Sequence, residues 1–219
     1  MIKKFKFSIA VDGSSASGKS TGSKYISKYF GFNLLSSGKL YRYLAHKIIQ
    51  NKYNYNNKFI KKKSQSINIK KLSNKNLYLP DVTKLASVIA KKKYIRNHLK
   101  KFQTDFIKKN SKVIIEGRDI ASKIMPNADL KIFFKCSLDE KAKRRLKEFK
   151  KLNNKIKLKD VKKALKVRDF SDKNRKESPL LFTKGAVLVD TTKLNLSQMR
   201  LKLIKIVKKE INKKKYGSL

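Results

Sequence analysis

Short apolar runs alternate with longer amphipathic stretches along the chain. The first run, Phe5–Val11, is β-rich and enters the serine/glycine segment GSSASGKST, after which Gly22–Phe30 has the period of a helix. Asn33–Leu35 predicts a short second strand, and Gly38–Gln50 a helix with Leu40, Leu44, Ile48 and Ile49 on its apolar face. Residues 51–75, rich in Asn and Lys, predict either a poorly ordered loop or a small insertion with short strands such as Ser66–Ile69. Pro80 opens a helical stretch to about Lys109, broken near Lys93. Lys112–Ile115 and Lys131–Phe134 are continuous apolar runs of the kind buried on both faces in parallel sheets. Ser137–Lys151 predicts a helix with Ser137 and Glu140 as a capping box, and Val161–Val167 leads through a charged segment to a last strand, Ala186–Val189. The final helix, Leu196–Asn212, is expected to bury Leu201, Leu203, Ile204 and Val207. Strands alternating with helices predict an α/β fold on a parallel sheet.

Composition changes this picture little. The 219 residues suit one core with small insertions, and 40% hydrophobic content is enough to build it. No apolar run is long enough to span a bilayer as a helix, and Phe7–Val11 is too short for the core of a signal peptide. The lone Cys136 excludes a disulfide framework within the chain and any multi-cysteine zinc site, and a cytoplasmic location is expected. A formal net charge of +43 would suit a nucleic-acid binder, but only eight of the 58 basic residues are arginine. Lysine used wherever a solvated residue is acceptable predicts a basic surface without a specific nucleic-acid partner.

Gly13-Ser14-Ser15-Ala16-Ser17-Gly18-Lys19-Ser20, followed by Thr21, fits GxxxxGK[ST] between a predicted strand and a predicted helix. Glycines let the backbone turn so that successive N–H groups face phosphate oxygens, and the helix adds its positive end. Lys19 is expected to reach the β- and γ-phosphates of a nucleoside triphosphate, and the Ser20 hydroxyl to bind Mg²⁺.

Against so many lysines the arginines stand out, because only the guanidinium forks onto phosphate in a fixed orientation. Arg42 follows Ser37 and Tyr41; Arg118 and Asp119 lie in EGRD at a strand end; Arg168 and Arg175 bracket Asp172 in RDFSDKNR. Strand ends in a parallel sheet face the ligand crevice, so these groups predict a site for a second, singly phosphorylated substrate. Arg200, on the last helix and in no motif, reads as surface. Glu116 reads either as an Mg²⁺-orienting group or as a plain strand-end carboxylate, and His46, His98 and Cys136 as structural.

Five segments in order resemble the bacterial cytidylate kinase (CMP/dCMP kinase) family of nucleoside monophosphate kinases. IAVDGSSASGKST is similar to the family's IAIDGPSGAGKGT, and LLSSGKLYR to LLDSGAIYR. VIIEGRDIASKIMPNADLKIFF is similar to its GRD…PDA…KIF stretch, RDFSDKNRKESPL to RDxxDxxRxxxPL, and VLVDTT to its closing strand. The resemblance implies the P-loop nucleoside monophosphate kinase fold: a five-stranded parallel sheet flanked by helices, with a small monophosphate-binding arm and a short lid. It divides the chain into core (1–50), arm (51–95), core (96–138), lid region (139–178) and closing core (179–219). It implies transfer of the γ-phosphoryl group of ATP, with Mg²⁺, to CMP or dCMP by a monomer without membrane partners.

Carried across residue by residue, Ser37, Tyr41, Arg42 and Arg118 resemble the residues lining the CMP phosphate and sugar. Ser87 and Arg96, with Asp119, resemble those meeting the cytosine edge, and Arg168, Asp172 and Arg175 those holding ribose and phosphates. Lys19, Arg42, Arg118, Arg168 and Arg175 are thereby the expected catalytic set, and Arg144 and Arg145 resemble a pair near the ATP phosphates. Ser36 stands where the family has Asp, Ser14 where it has Pro, and Ala121-Ser122 where it has Gly-Thr. Two rival readings are a P-loop kinase for UMP, AMP or shikimate and a basic RNA- or DNA-binding protein whose NKYNYNNKF tyrosines stack on bases.

Overall fold

Five short runs dominated by apolar residues become five strands, two of them buried along nearly their whole length and the others burying alternate or single positions. They are β1 (Phe7–Gly13), β2 (Asn33–Ser36), β3 (Lys112–Gly117), β4 (Leu130–Lys135) and β5 (Val187–Asp190). The computed structural model describes residues 5–150 and 156–217. The strands form one sheet in the order β2-β3-β1-β4-β5, and β1 pairs in parallel with β3 and β4. Val11 lies opposite Glu116 and Ile132 in that register, so the carboxyl ends of β1, β3 and β4 come together.

The chain divides into two compact units, Met1–Leu34 with Ser111–Leu219 (unit 1) and Leu35–Asn110 (unit 2). In unit 1, α1 (Lys19–Phe30) and α8 (Leu196–Tyr216) add Ile26, Met199, Leu203 and Val207 to a core with Phe7, Ile9, Ile132 and Phe134. Leu201, expected on the buried face of α8, is exposed; the face that packs is Met199–Leu203–Val207, spaced four residues apart. Helices α6 (Leu138–Lys150) and α7 (Leu158–Asn174) form a smaller cluster through Ala142, Val161 and Leu165. Lys151, the last residue of the expected helix, and part of the expected lid region (151–155) lie outside the described residues.

The expected capping box of α6 is half formed. Ser137 Oγ accepts from the Glu140 amide at 3.3 Å, but the Glu140 carboxylate goes to Arg144 and the Ser137 amide donates to Thr192 Oγ1. Arginine is the stronger partner for a carboxylate than a second backbone amide.

Unit 2 is helical: α2 (Ser37–Gln50), α3 (Asn57–Gln65), α4 (Pro80–Ile89) and α5 (Lys93–Lys109). It is broader than the arm expected over 51–95, because α2 packs on α3 and α4, and α5 packs on α3. No strand forms at Ser66–Ile69. Asn56, Asn68 and Asn74 instead cap a helix and two 3-10 turns with their side-chain oxygens, while Ile60, Ile67, Leu72 and Leu77 are buried. The asparagines that suggested disorder are start signals.

Candidate functional site

The loop between β1 and α1 is shaped by its two glycines. A Cβ on Gly13 would lie 2.6 Å from the Phe134 carbonyl oxygen, and Gly18 takes φ +87° immediately before α1, where its lack of a side chain avoids strain. The turn is braced from within by Ser17 Oγ donating to the Ser14 carbonyl at 3.0 Å. It is braced from just past β5 by the buried Thr191, whose Oγ1 donates to the Ser17 carbonyl at 2.9 Å. Arg144 grips Thr191 in turn, through NH1 to Oγ1 (3.0 Å) and NH2 to the carbonyl (2.7 Å).

Lys19, at the first turn of α1, is buried. Burial, with Arg118 nearby, pushes its ammonium down to about 7 despite the opposing attraction of Glu116. A buried cation at the mouth of an anion-binding loop holds its charge most readily when a phosphate is present. Next to it, Ser20 Oγ donates to Glu116 Oε2 at 2.6 Å. A hydroxyl and a carboxylate meeting between α1 and β3 form an oxygen-only donor set of the type that Mg²⁺ prefers while keeping several waters. Among the described residues no group of three or more His, Cys, Asp or Glu side chains could hold a metal ion by itself.

Beyond β3 the arginines gather around Asp172. Arg118 Nε donates to Asp172 Oδ2 at 2.8 Å, Arg175 lies 3.6 Å from Asp172 Oδ1 and 3.7 Å from Asp119 Oδ1, and its Nε donates to the Ser178 carbonyl at 2.7 Å. Burial works to raise Asp172, yet Arg118, Arg168 and Arg175 together hold it below the ordinary carboxylate range. Arg118 and Arg168 also act electrostatically on Lys19. Unit 1 thus brings Lys19, Ser20, Arg118, Asp119, Arg168, Asp172 and Arg175 into one electrostatic neighbourhood.

The other expected acceptor residues belong to unit 2. Ser37 is buried and its Oγ accepts from Gln103 Nε2 at 3.0 Å. The Arg96 guanidinium lies over the Tyr41 ring at 5.6 Å, and its NH1 donates to the Ala90 carbonyl at 2.9 Å. Arg42 stacks on Tyr78 at 4.8 Å, and the half-buried Ser87 donates through Oγ to the Thr83 carbonyl at 3.3 Å. His98 bonds Asn57, Cys136 is buried, and Arg200 lies over Tyr25 at 5.2 Å, each in a structural setting.

Three functional candidates escape the sequence reading. Asp12, buried beside the loop, accepts from the amides of Ile120 and Ala121 at 2.9 and 2.8 Å, and burial pushes its carboxyl up to about 6 against those two bonds. Its place directly before Gly13 was the available signal. Gln103, which holds Ser37, and Lys141, which bonds Asp169 and Ser14, carried none.

A sequence profile described as cytidylate kinase matches residues 9–209. A cytidylate kinase from Fusobacterium nucleatum is 36% identical over 219 residues, covering 94% of this chain and 98% of that protein. One from Thermosipho melanesiensis is 32% identical over 213 residues, covering 92% and 97%. The crystal structure of an uncharacterized protein from Eubacterium ventriosum superposes with a TM-score of 0.56 at 15% identity, covering 93% of this chain and 99% of that one, which shows a shared fold.

Proposed function

The chain belongs to the cytidylate kinase family, and on that footing we propose that it transfers the γ-phosphoryl group of ATP to CMP or dCMP, giving ADP and CDP or dCDP. The observation that carries the reading is the gathering of Arg118, Arg168 and Arg175 around Asp172 within electrostatic reach of the loop lysine, Lys19.

Phosphoryl transfer asks a protein for positioning and charge compensation, and for little covalent chemistry. The backbone amides from Gly13 to Thr21, apart from the Ser15 amide that Asp169 engages, cradle the donor's phosphates, and Lys19 adds a charge that is desolvated in advance. Ser20, with Glu116, would hold Mg²⁺, which when bound offsets charge on the β- and γ-phosphates. Arg42, Arg118, Arg168 and Arg175 neutralise the acceptor phosphate so that a second anion can approach in line. An acceptor phosphate oxygen is already a nucleophile, so no histidine base is required.

We assign Ser37 and Tyr41 to the acceptor's phosphate and sugar side, Asp172 to its ribose hydroxyls, and Ser87, Arg96 and Asp119 to the cytosine edge. The support is their place in the motifs, together with the carboxylate's capacity to accept paired hydroxyls. Acceptor recognition by the 51–95 arm, a lid within 139–178 and a monomeric state belong to the same proposal. Among the described residues no helix is long and apolar enough to cross a membrane.

The test is ADP release from ATP across a panel of nucleoside monophosphates. CMP and dCMP should lead, with UMP weaker and AMP weakest. A clear preference for AMP would overturn the assignment of the base-reading residues.

A further inference from the structure

Of all the lysines in the described residues, two are buried, and they stand at opposite ends of the phosphate loop. Lys19 closes it. Lys141, from α6, lies against its opening turn, where Nζ bonds Asp169 Oδ2 on α7 and reaches Ser14 Oγ at 3.4 Å. The other oxygen of that carboxylate, Asp169 Oδ1, accepts from the Ser15 amide at 3.3 Å, a bond that is itself buried. Arg145 meets the same turn, with NH2 3.4 Å from Ser15 Oγ. Two helices thus fasten onto two successive loop residues through one buried ion pair.

A buried pair is a poor way to gain stability, since desolvation cancels most of the attraction and apolar side chains of similar size do as well. What the pair adds is direction. Asp169 sits between Arg168 and Asp172 on α7, where Arg168 and Asp172 are four residues apart on one helix face, and Arg175 follows as the residue that ends the helix. The carboxylate that anchors the loop and the groups that gather the arginines are therefore borne by one helix.

We propose that the Lys141–Asp169 pair is a positioning device that keeps α7, and with it Arg168, Asp172 and Arg175, in register with the phosphate loop for transfer. The inference rests on the phosphotransfer reading given above. Misplacement of a reacting group by about an ångström costs on the order of 10²-fold in rate. A pair that locks loop to helix acts on turnover through that sensitivity without touching either nucleotide.

The test compares Lys141→Met, Asp169→Leu and the double variant with the wild-type chain. Wild-type turnover of CMP is measured first; its absence would defeat the functional reading and the inference together, whereas its presence isolates the inference. Each single variant leaves one buried charge or cavity uncompensated and should lower Tm. The double variant, apolar at both positions, should regain most of that Tm. Its kcat should stay at least about 10-fold below wild type while KM for CMP moves by less than about 3-fold, because the Ser15 amide has lost its acceptor. A double variant that regains both Tm and wild-type kcat would overturn the proposal and leave the pair as scaffold. Should the double variant not regain Tm, Asp169→Glu decides. It keeps the charge but lengthens the side chain by one methylene, and should lower kcat about 5-fold in a folded protein; an unchanged kcat there would equally overturn the proposal.

Discussion

Arginine has a far richer supply of carboxylates in one unit than in the other. In unit 1 carboxylates hold it: Asp172 takes Arg118 and Arg175, Asp119 takes Arg175, and Glu140 takes Arg144. In unit 2 the Arg42 guanidinium lies against Tyr78, and that of Arg96 lies against Tyr41 and donates to the Ala90 carbonyl. Between Leu35 and Asn110 the only acidic residues are Asp81 and Asp105, against eighteen lysines and two arginines. With so few carboxylates of its own, unit 2 carries a strong positive charge. Carboxylates orient guanidiniums but offset their charge, which under the proposed function suits a cluster that presents fixed forks to a phosphate. Under the proposed function, substitutions in the arginine cluster of unit 1 should act mainly on kcat, and those at Tyr78 and Ser87 in unit 2 mainly on KM.

Removing the loop lysine should have the largest effect. Lys19→Ala should lower CMP-dependent ADP release by about 10²-fold or more while circular dichroism shows an intact fold. A wild-type rate in that folded variant would take the chemistry away from unit 1. Next comes the carboxylate that orients the cluster: Asp172→Asn should reduce kcat about 10- to 100-fold in steady-state assays, because Arg118 loses its charged partner.

A third effect follows from the depressed Lys19 ammonium. In the free protein it loses its proton around pH 7, whereas its ordinary value is 10.5, and bound phosphate favours the charged form. Above about pH 7 ATP binding should therefore take up a proton, approaching one per nucleotide near pH 8, and ATP affinity should fall by up to tenfold per further pH unit. Titration calorimetry in buffers of different ionisation enthalpy reads this directly; no uptake near pH 8 would mean that the loop does not place phosphate on Lys19. The smallest effect belongs to unit 2. Tyr78→Leu removes the ring under Arg42 and should raise KM for CMP about 3-fold with kcat nearly unchanged.

Much of this was legible in the sequence where backbone requirements force residue types. The loop glycines, the buried strands and the arginines of EGRD and RDFSDKNR could be read because few residues satisfy those positions. Residues 51–75 misled because asparagine serves loops and helix caps alike, and only tertiary burial of Ile60, Leu72 and Leu77 decides between them. Leu201 fits the apolar pattern of α8 and is nevertheless exposed, because an isolated helix pattern does not say which apolar stripe meets a partner. Lys141 was invisible among fifty lysines, since nothing local marks a lysine that a distant aspartate will bury.

The contrast between the units is tested most directly by measuring kcat and KM for CMP in Arg118→Lys and Ser87→Ala side by side. Arg118→Lys keeps the charge but loses the fork, and should lower kcat at least about 10-fold with KM changed less. Ser87→Ala should raise KM about 5- to 10-fold and leave kcat within about 2-fold of wild type. The reverse pattern, with turnover lost on the serine and affinity lost on the arginine, would contradict the account.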